Sequence, residues 1–225
     1  FGKLIPKGTL ETYFFWKQNS VAGPDLRIYT LGGHLFGKLP RHFDYNIEMA
    51  HQHGRDGVRT MGAWAGHWEA GRSIKEEKVR FSAEYNYGSG DSNPNDRRRG
   101  DFDNHYPTDK YGTCDNIAWR NIHETIVNVE WKPTRKLKTK LAWHDFWLAS
   151  RKDALYAIAG TVLARNPNAT SSHVGNELDV RVIWQATPHF QLFCGYAYMF
   201  SGEYLKQATK GSNIHYPYVM WTYSF

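Results

Sequence analysis

The chain lacks long apolar runs. Across 225 residues, 41% of them hydrophobic, no stretch of ~18 apolar residues occurs, which excludes a membrane-spanning helix. Cysteine is scarce. Cys114 and Cys194 are far apart, so neither C-x-x-C chemistry nor zinc-ligand spacing arises, and a bridge between a loop and a strand position is not expected. No leader peptide is visible; for an exported protein it has been cleaved or precedes Phe1. No G-x-S-x-G nucleophile motif is present. His123-Glu124 lacks a second histidine four residues on, so the zinc-protease pattern fails.

Charge of one sign is not concentrated either. The net charge is +6, but Lys and Arg are spread along the chain, which argues against nucleic acid as a partner. The one dense run, Arg97, Arg98 and Arg99, sits in a Gly/Asn/Asp-rich segment flanked by acids. That distribution suits a cationic loop or lumen that attracts anions.

What the chain has in abundance is aromatic residues, with 9 Trp, 14 Tyr and 12 Phe, and a period of two. At the carboxyl end Pro217, Val219, Trp221, Tyr223 and Phe225 share one side of an extended segment, with polar or mixed residues opposite. A mean hydropathy of −0.64 looks soluble. Alternation of lipid-facing and lumen-facing residues cancels in any average, however, so the value does not argue against a membrane β-barrel.

Reading for alternation yields about ten extended segments, over 10–18, 26–39, 43–53, 59–74, 78–88, 120–133, 137–150, 173–187, 190–206 and 215–225. Several exceed the ~5–6 residues of ordinary strands and reach the ~9–11 that a tilted strand needs to cross a bilayer. In the fifth, Val79, Phe81, Ala83, Tyr85 and Tyr87 oppose Arg80, Ser82, Glu84 and Asn86. In the sixth, Thr125, Val127, Val129 and Trp131 oppose Glu124, Asn128 and Glu130. In the eighth, Leu178, Val180, Val182 and Trp184 oppose Asp179, Arg181 and Gln185. Mid-strand charge facing lipid costs ~2–4 kcal/mol for Arg or Lys, so the charged faces are expected to point into a watery interior. Tight turns at 40–42, 75–77, 132–136 and 187–189 alternate with longer links, above all 89–119 and 151–172. Counted back from the carboxyl terminus, every tight turn falls in the periplasm and every long loop outside.

The residues also carry a resemblance. Tyr85-Asn-Tyr-Gly-Ser-Gly-Asp91, then Gly100-Asp-Phe-Asp103, Tyr106-Pro-Thr108, Tyr111-Gly112 and 115–121, resemble the alginate export family of outer-membrane barrels. So do 45–52, 153–156, Gly175-Asn-Glu-Leu-Asp179 and 195–202, in the same order. The resemblance implies a barrel of about eighteen strands, of which these would be the carboxyl-terminal part. It also implies an arginine-lined constriction, much of it on earlier strands. A complete ten-stranded barrel would have a lumen mostly filled by side chains.

The fold class expected is therefore all-β, an antiparallel transmembrane barrel in the bacterial outer membrane, forming one domain over 1–225 and incomplete at its amino-terminal side. Its partners would be membrane lipid and lipopolysaccharide, an anionic solute or polysaccharide, and a periplasmic export or envelope complex. Candidate pore-lining residues are Arg80, Glu84, Arg97, Arg98, Arg99, Glu130, Lys138, Lys140, Asp179 and Arg181, since a cationic constriction selects anions as water is stripped away. The alternative is a solvated loop with lumen ion pairs to Glu84, Glu130 and Asp179. Asp91, Asp101, Asp103 and Asp115, with Asn93 and Asn95, offer oxygen ligands for calcium, although such residues more often cap turns. His51 and His53 read as interface or lumen histidines rather than metal ligands. The reading is a passive pore for an acidic saccharide, with no cofactor and no catalysis; a general or small-anion diffusion pore is the nearest alternative. A barrel enzyme using His144, Asp145 and Ser150, or a structural barrel, stands further off.

Overall fold

A computed structural model describes residues 8–19, 25–105, 112–114 and 116–225. The elements in chain order are β1 (Gly8–Asn19), β2 (Leu26–Leu39), β3 (Phe43–Asp56), β4 (Arg59–Ile74), β5 (Val79–Gly88), β6 (Arg98–Arg99), β7 (Ile122–Thr134), β8 (Leu137–Leu148), β9 (Leu155–Tyr156), β10 (Val162–Ala164), β11 (His173–Gln185), β12 (Phe190–Ser201), α1 (Glu203–Ala208) and β13 (Ile214–Tyr223). Ten long strands pair in the order β1-β2-β3-β4-β5-β7-β8-β11-β12-β13, and β6 adds to β4 beyond the end of β5. Every neighbour on the main path is antiparallel. The sheet is open among the described residues: β1 pairs only with β2, and β13 only with β12.

Burial runs opposite to that of a water-soluble sheet. Leu31, Phe81, Val127, Trp131, Trp143, Trp184, Val219 and Trp221 are exposed, while Gln52, Asn86, Glu124, Asn128 and Glu177 are buried on the other face. Large apolar side chains pointing outward over a polar interior are what a hydrocarbon surround stabilises, since each strand satisfies its backbone through its neighbours. The outward histidines belong to the same boundary layer. Tyr29 stacks on His53 at 5.2 Å, Tyr87 meets His123 edge-on at 4.8 Å, Trp147 lies 5.6 Å from His173, and Tyr198 4.5 Å from His215. Amphipathic rings of this kind favour the membrane–water interface.

Two links depart from the sequence reading. The long-loop rim carries one tight turn, Gly57 and Val58 between β3 and β4, made possible because Gly57 takes φ 60. The segment read as strand over 190–206 ends at Ser201, and the chain then turns into α1, whose Tyr204 is fully buried with its hydroxyl donating to the Ala164 carbonyl. At the opposite rim the turn after β4 holds Lys75, Glu76 and Glu77 at φ 51, 57 and 64, a left-handed run that L-residues adopt only at a cost.

The long loops fold onto the inward face. Cys114, Ile117, Ile122, Phe146, Leu148, Leu155, Val174, Met199 and Tyr204 form one apolar cluster, and Ile28, Met61, Ala63, Ala65 and Phe102 another. Both lie near the long-loop rim, so that end of the interior is filled and the polar wall lies below it.

Candidate functional site

Strand register assembles the inward charges into rows. Across six consecutive strands Glu11, His34, Glu48, His67, Asn86 and Glu124 stand directly opposite one another. Further toward the short-turn rim, Ser73, Arg80, Glu130, Lys140, Arg181, Gly195 and Tyr218 form a second row, each paired in register with the next. Four of the residues proposed from sequence, Arg80, Glu130, Lys140 and Arg181, are thus neighbours on four adjacent strands.

The upper row continues diagonally as a chain of hydrogen bonds. Asn86 Nδ2 donates to Glu84 Oε1 at 2.7 Å and to Glu124 Oε2 at 2.8 Å; its Oδ1 meets His67 Nδ1 at 2.8 Å. Glu124 is completely buried, and its Oε1 lies 2.7 Å from His144 Nδ1. His144 Nε2 in turn lies 3.4 Å from Asp179 Oδ2. A buried carboxylate is tolerable only when so partnered. Asp179 then holds the loop between β5 and β7, accepting from Thr113 N at 2.9 Å and Thr113 Oγ1 at 2.6 Å. Glu177 accepts from Cys114 N at 2.9 Å. Gly112 lets the chain pass this close: at φ +81, an added Cβ would sit 2.5 Å from Glu177 Oε1.

Glycines in the strands let long side chains cross to the second strand away. Arg80 lies over Gly71, where a Cβ would come within 2.3 Å of its guanidinium, and reaches Asp44 as well as Glu69 at 2.9 Å. Tyr13 lies over Gly32 and donates to Glu48 at 2.7 Å; Tyr218 lies over Gly195 and accepts from Arg181 Nε at 3.0 Å. Such ring-over-glycine packing closes the gap a missing side chain leaves.

Beside these pairs stand two inward cations, Lys140 and Arg181. Arg80 is held by two carboxylates, and Glu130 is taken by Lys138 at 3.0 Å. Among the described residues Lys140 makes no ion pair and Arg181 meets only a phenol, while Glu130 stands opposite Lys140 on its other side. Lys140 and Arg181 stand directly opposite each other, an arrangement that is destabilising unless an anion lies between them. They line a cleft of ≈ 280 Å³ with Glu84, Thr113, His144 and Asp179. Beside it, Ser82 Oγ and Asn128 Oδ1 are buried without a partner among the described residues, and Gly71 and Ala142 flank them in register. The result is a polar notch in the wall.

The arginine run separates. Arg97 and Arg98 are exposed at the rim. Arg99 is 5% exposed, with Asp101 at 3.1 Å and Asp56 and Asp103 both at 3.4 Å. Burial opposes its charge, but Asp101, Asp103 and Asp56 outweigh it and raise its pKa above the ordinary value. Asp103 is also bonded by Lys17 at 2.6 Å and His105 at 3.1 Å. Burial alone would raise its pKa, yet the hydrogen bonds from His105 and Lys17, with the charges of Lys17 and Arg99, hold it well below the usual carboxylate range. Its backbone exchanges two bonds with Gln52, at 2.8 and 2.9 Å. This cluster clamps the loop inward. Asp101 Oδ2 forms an ion pair with Arg120 Nε at 2.7 Å, and Asp91 Oδ1 accepts from Asn93 N at 3.0 Å. Among the described residues no three His, Cys, Asp or Glu side chains converge as a metal ion requires; Asp115 lies outside those residues.

His144 and Asp145 point to opposite faces: His144 is bonded to Glu124 inside, and Asp145 to His173 outside at 2.9 Å. Ser150 Oγ donates to the Asp91 carbonyl at 2.9 Å. The three are not brought together. Thr113, Tyr218, His67 and the crossing glycines are not among the residues expected from sequence; for His67 and Tyr218 alternation is the signal that points them inward.

No curated protein matches the chain. A solved NanC porin, in a rhombohedral crystal form, aligns with 97% of this chain and 98% of its own at 9% identity and a TM-score of 0.49. The alginate export family matches residues 4–219, nearly the whole chain. With an all-β antiparallel sheet, a charged interior and an apolar exterior, the chain belongs to the alginate export family and is a protein of the bacterial outer membrane.

Proposed function

We propose that this chain forms the wall of a passive outer-membrane pore for an acidic saccharide, and that Lys140 and Arg181 receive the permeant carboxylates. The observation that carries this is the directly opposed cation pair, without an ion-pair partner among the described residues, beside the cleft under Thr113. Inward carboxylates are numerous, but they are tied to neighbouring donors, whereas Lys140 and Arg181 keep their cationic groups toward the cleft. A charge-lined aqueous passage needs no cofactor and makes no bond; selectivity follows from replacing hydration by fixed cations. Arg99 serves this reading indirectly, by clamping the loop that roofs the cleft. The edges β1 and β13 also need partners in hydrocarbon, because unpaired strand edges do not persist there.

Block of single-channel current by an oligouronate in planar bilayers tests the reading. The wild-type protein is expected to be blocked by the sugar, whose units each carry a carboxylate. Lys140→Gln with Arg181→Gln should weaken block by about fivefold per charge, the Coulomb value for a wet site. Wild-type current untouched by the sugar would leave a general diffusion pore.

A further inference from the structure

The outward face of β1 to β4 carries a second, separate arrangement of charge. At the long-loop rim Gln18, Arg27, Arg55 and Thr60 lie in one register row, and Thr60 pairs with Arg98 of β6. Arg27, Arg55 and Arg98 are all exposed. Arg27 and Arg55 are directly opposed like charges, which disfavours the pair unless an anion joins them. Arg27 meets Asp25 at 3.0 Å, with both side chains half in solvent, while the side chains of Arg55 and Arg98 form no ion pair among the described residues.

Below this row the surface changes character in steps. The next outward row is aromatic: Trp16, Tyr29 and His53 stack at 6.4 and 5.2 Å, a layer suited to the interface. Beneath it lies an apolar groove of ≈ 660 Å³, lined on the outside by Thr12, Leu31, Gly33, Met49, His51 and Trp64. The groove exists because Gly33 carries no side chain; on the same face Gly62 leaves open space beside His53. Cations, aromatic layer and apolar groove are thus stacked along the membrane normal over four strands.

We propose that this face is a binding site for a phosphorylated acyl lipid of the outward-facing leaflet. The acyl chain would lie in the Leu31–Met49–Trp64 groove, and the phosphate on Arg27, Arg55 and Arg98. Guanidinium forks bind phosphate oxygens in pairs, and a phosphate between Arg27 and Arg55 removes their repulsion. The Gly57–Val58 turn suits this role: it joins β3 and β4 in two residues and so leaves Arg55 exposed. The site is independent of the pore reading, being on the other face of the sheet.

The test is native mass spectrometry of the folded full chain in detergent, with diphosphorylated lipid A, its dephosphorylated form and inorganic phosphate as probes. Folding of each variant is checked by heat-modifiable mobility. The phosphorylated lipid should form a defined adduct that the dephosphorylated form does not. Arg27→Gln, Arg55→Gln and Arg98→Gln should each weaken it about fivefold, and Gly33→Leu, which fills the groove and leaves all charges, should weaken it too. Lys140→Gln should leave it unchanged. Equal binding by the triple arginine variant would overturn the proposal, as would displacement of the lipid by an equal concentration of inorganic phosphate, which would show an anion site without a lipid.

Discussion

Replacing His144 by Ala tests whether the buried polar chain holds the wall together. Glu124 has no solvent exposure and two partners, His144 at 2.7 Å and Asn86 at 2.8 Å. The substitution removes the one partner among them that can carry positive charge, and also the 3.4 Å contact to Asp179. Removing one partner of a buried ion pair costs about 3–5 kcal/mol. Because His144 lines the cleft beside Lys140, water can enter the vacated space, so the low end, about 3 kcal/mol, is expected. Adding Glu124→Gln removes the stranded charge, and the double variant should recover about 1–2 kcal/mol relative to the sum of the single losses. Urea unfolding in lipid vesicles, followed by tryptophan fluorescence, measures all four corners of the cycle. A His144→Ala loss under about 1 kcal/mol, or strictly additive losses, would refute the idea that a charge pair is buried here.

Two further outcomes follow from local geometry. Glu76 is an exposed residue at φ 57 in the turn after β4, and Glu76→Gly should stabilise the protein by up to about 1 kcal/mol, because glycine adopts that conformation without a Cβ clash; urea midpoints would show it, and destabilisation would contradict it. Burial, together with the charge and hydrogen bond of Glu177 and the charge of Asp179, pushes the Cys114 thiol up to about 12. Maleimide at pH 8 should therefore leave Cys114 unmodified in the folded protein and label it after unfolding, since the thiolate is the reactive form.

The strands were legible because lipid and water enforce opposite chemistry on alternate residues: Phe81 and Trp184 against Glu84 and Asp179 declare their faces without any partner being known. Register was not legible, because it depends on turn geometry. Nothing in the sequence says that Lys75 to Glu77 turn left-handed and so set Arg80 opposite Ser73. The arginine run shows the same limit. Arg97, Arg98 and Arg99 look equivalent as a string, yet pairing of β6 with Thr60 and Met61 turns Arg98 outward and Arg99 inward. The α1 segment was read as strand because its aromatic neighbours continue the alternation of β12, while a helix of 6 residues is too short to show its own period. Glu84, Lys140, Asp179 and Arg181 of the cleft were legible, but its roof was not: Thr113 reaches Asp179 across 66 residues of sequence, and only folding of the loop onto the inward face joins them.

The most direct measurement is the reversal potential of single channels in a salt gradient, for the wild-type protein and for Lys140→Glu with Arg181→Glu. An anion-selective wild-type channel whose preference inverts in the variant is the predicted result. A wild-type channel that favours cations, or a preference unmoved by reversing both charges, would contradict the assignment of these two residues as the charged lining of the pore.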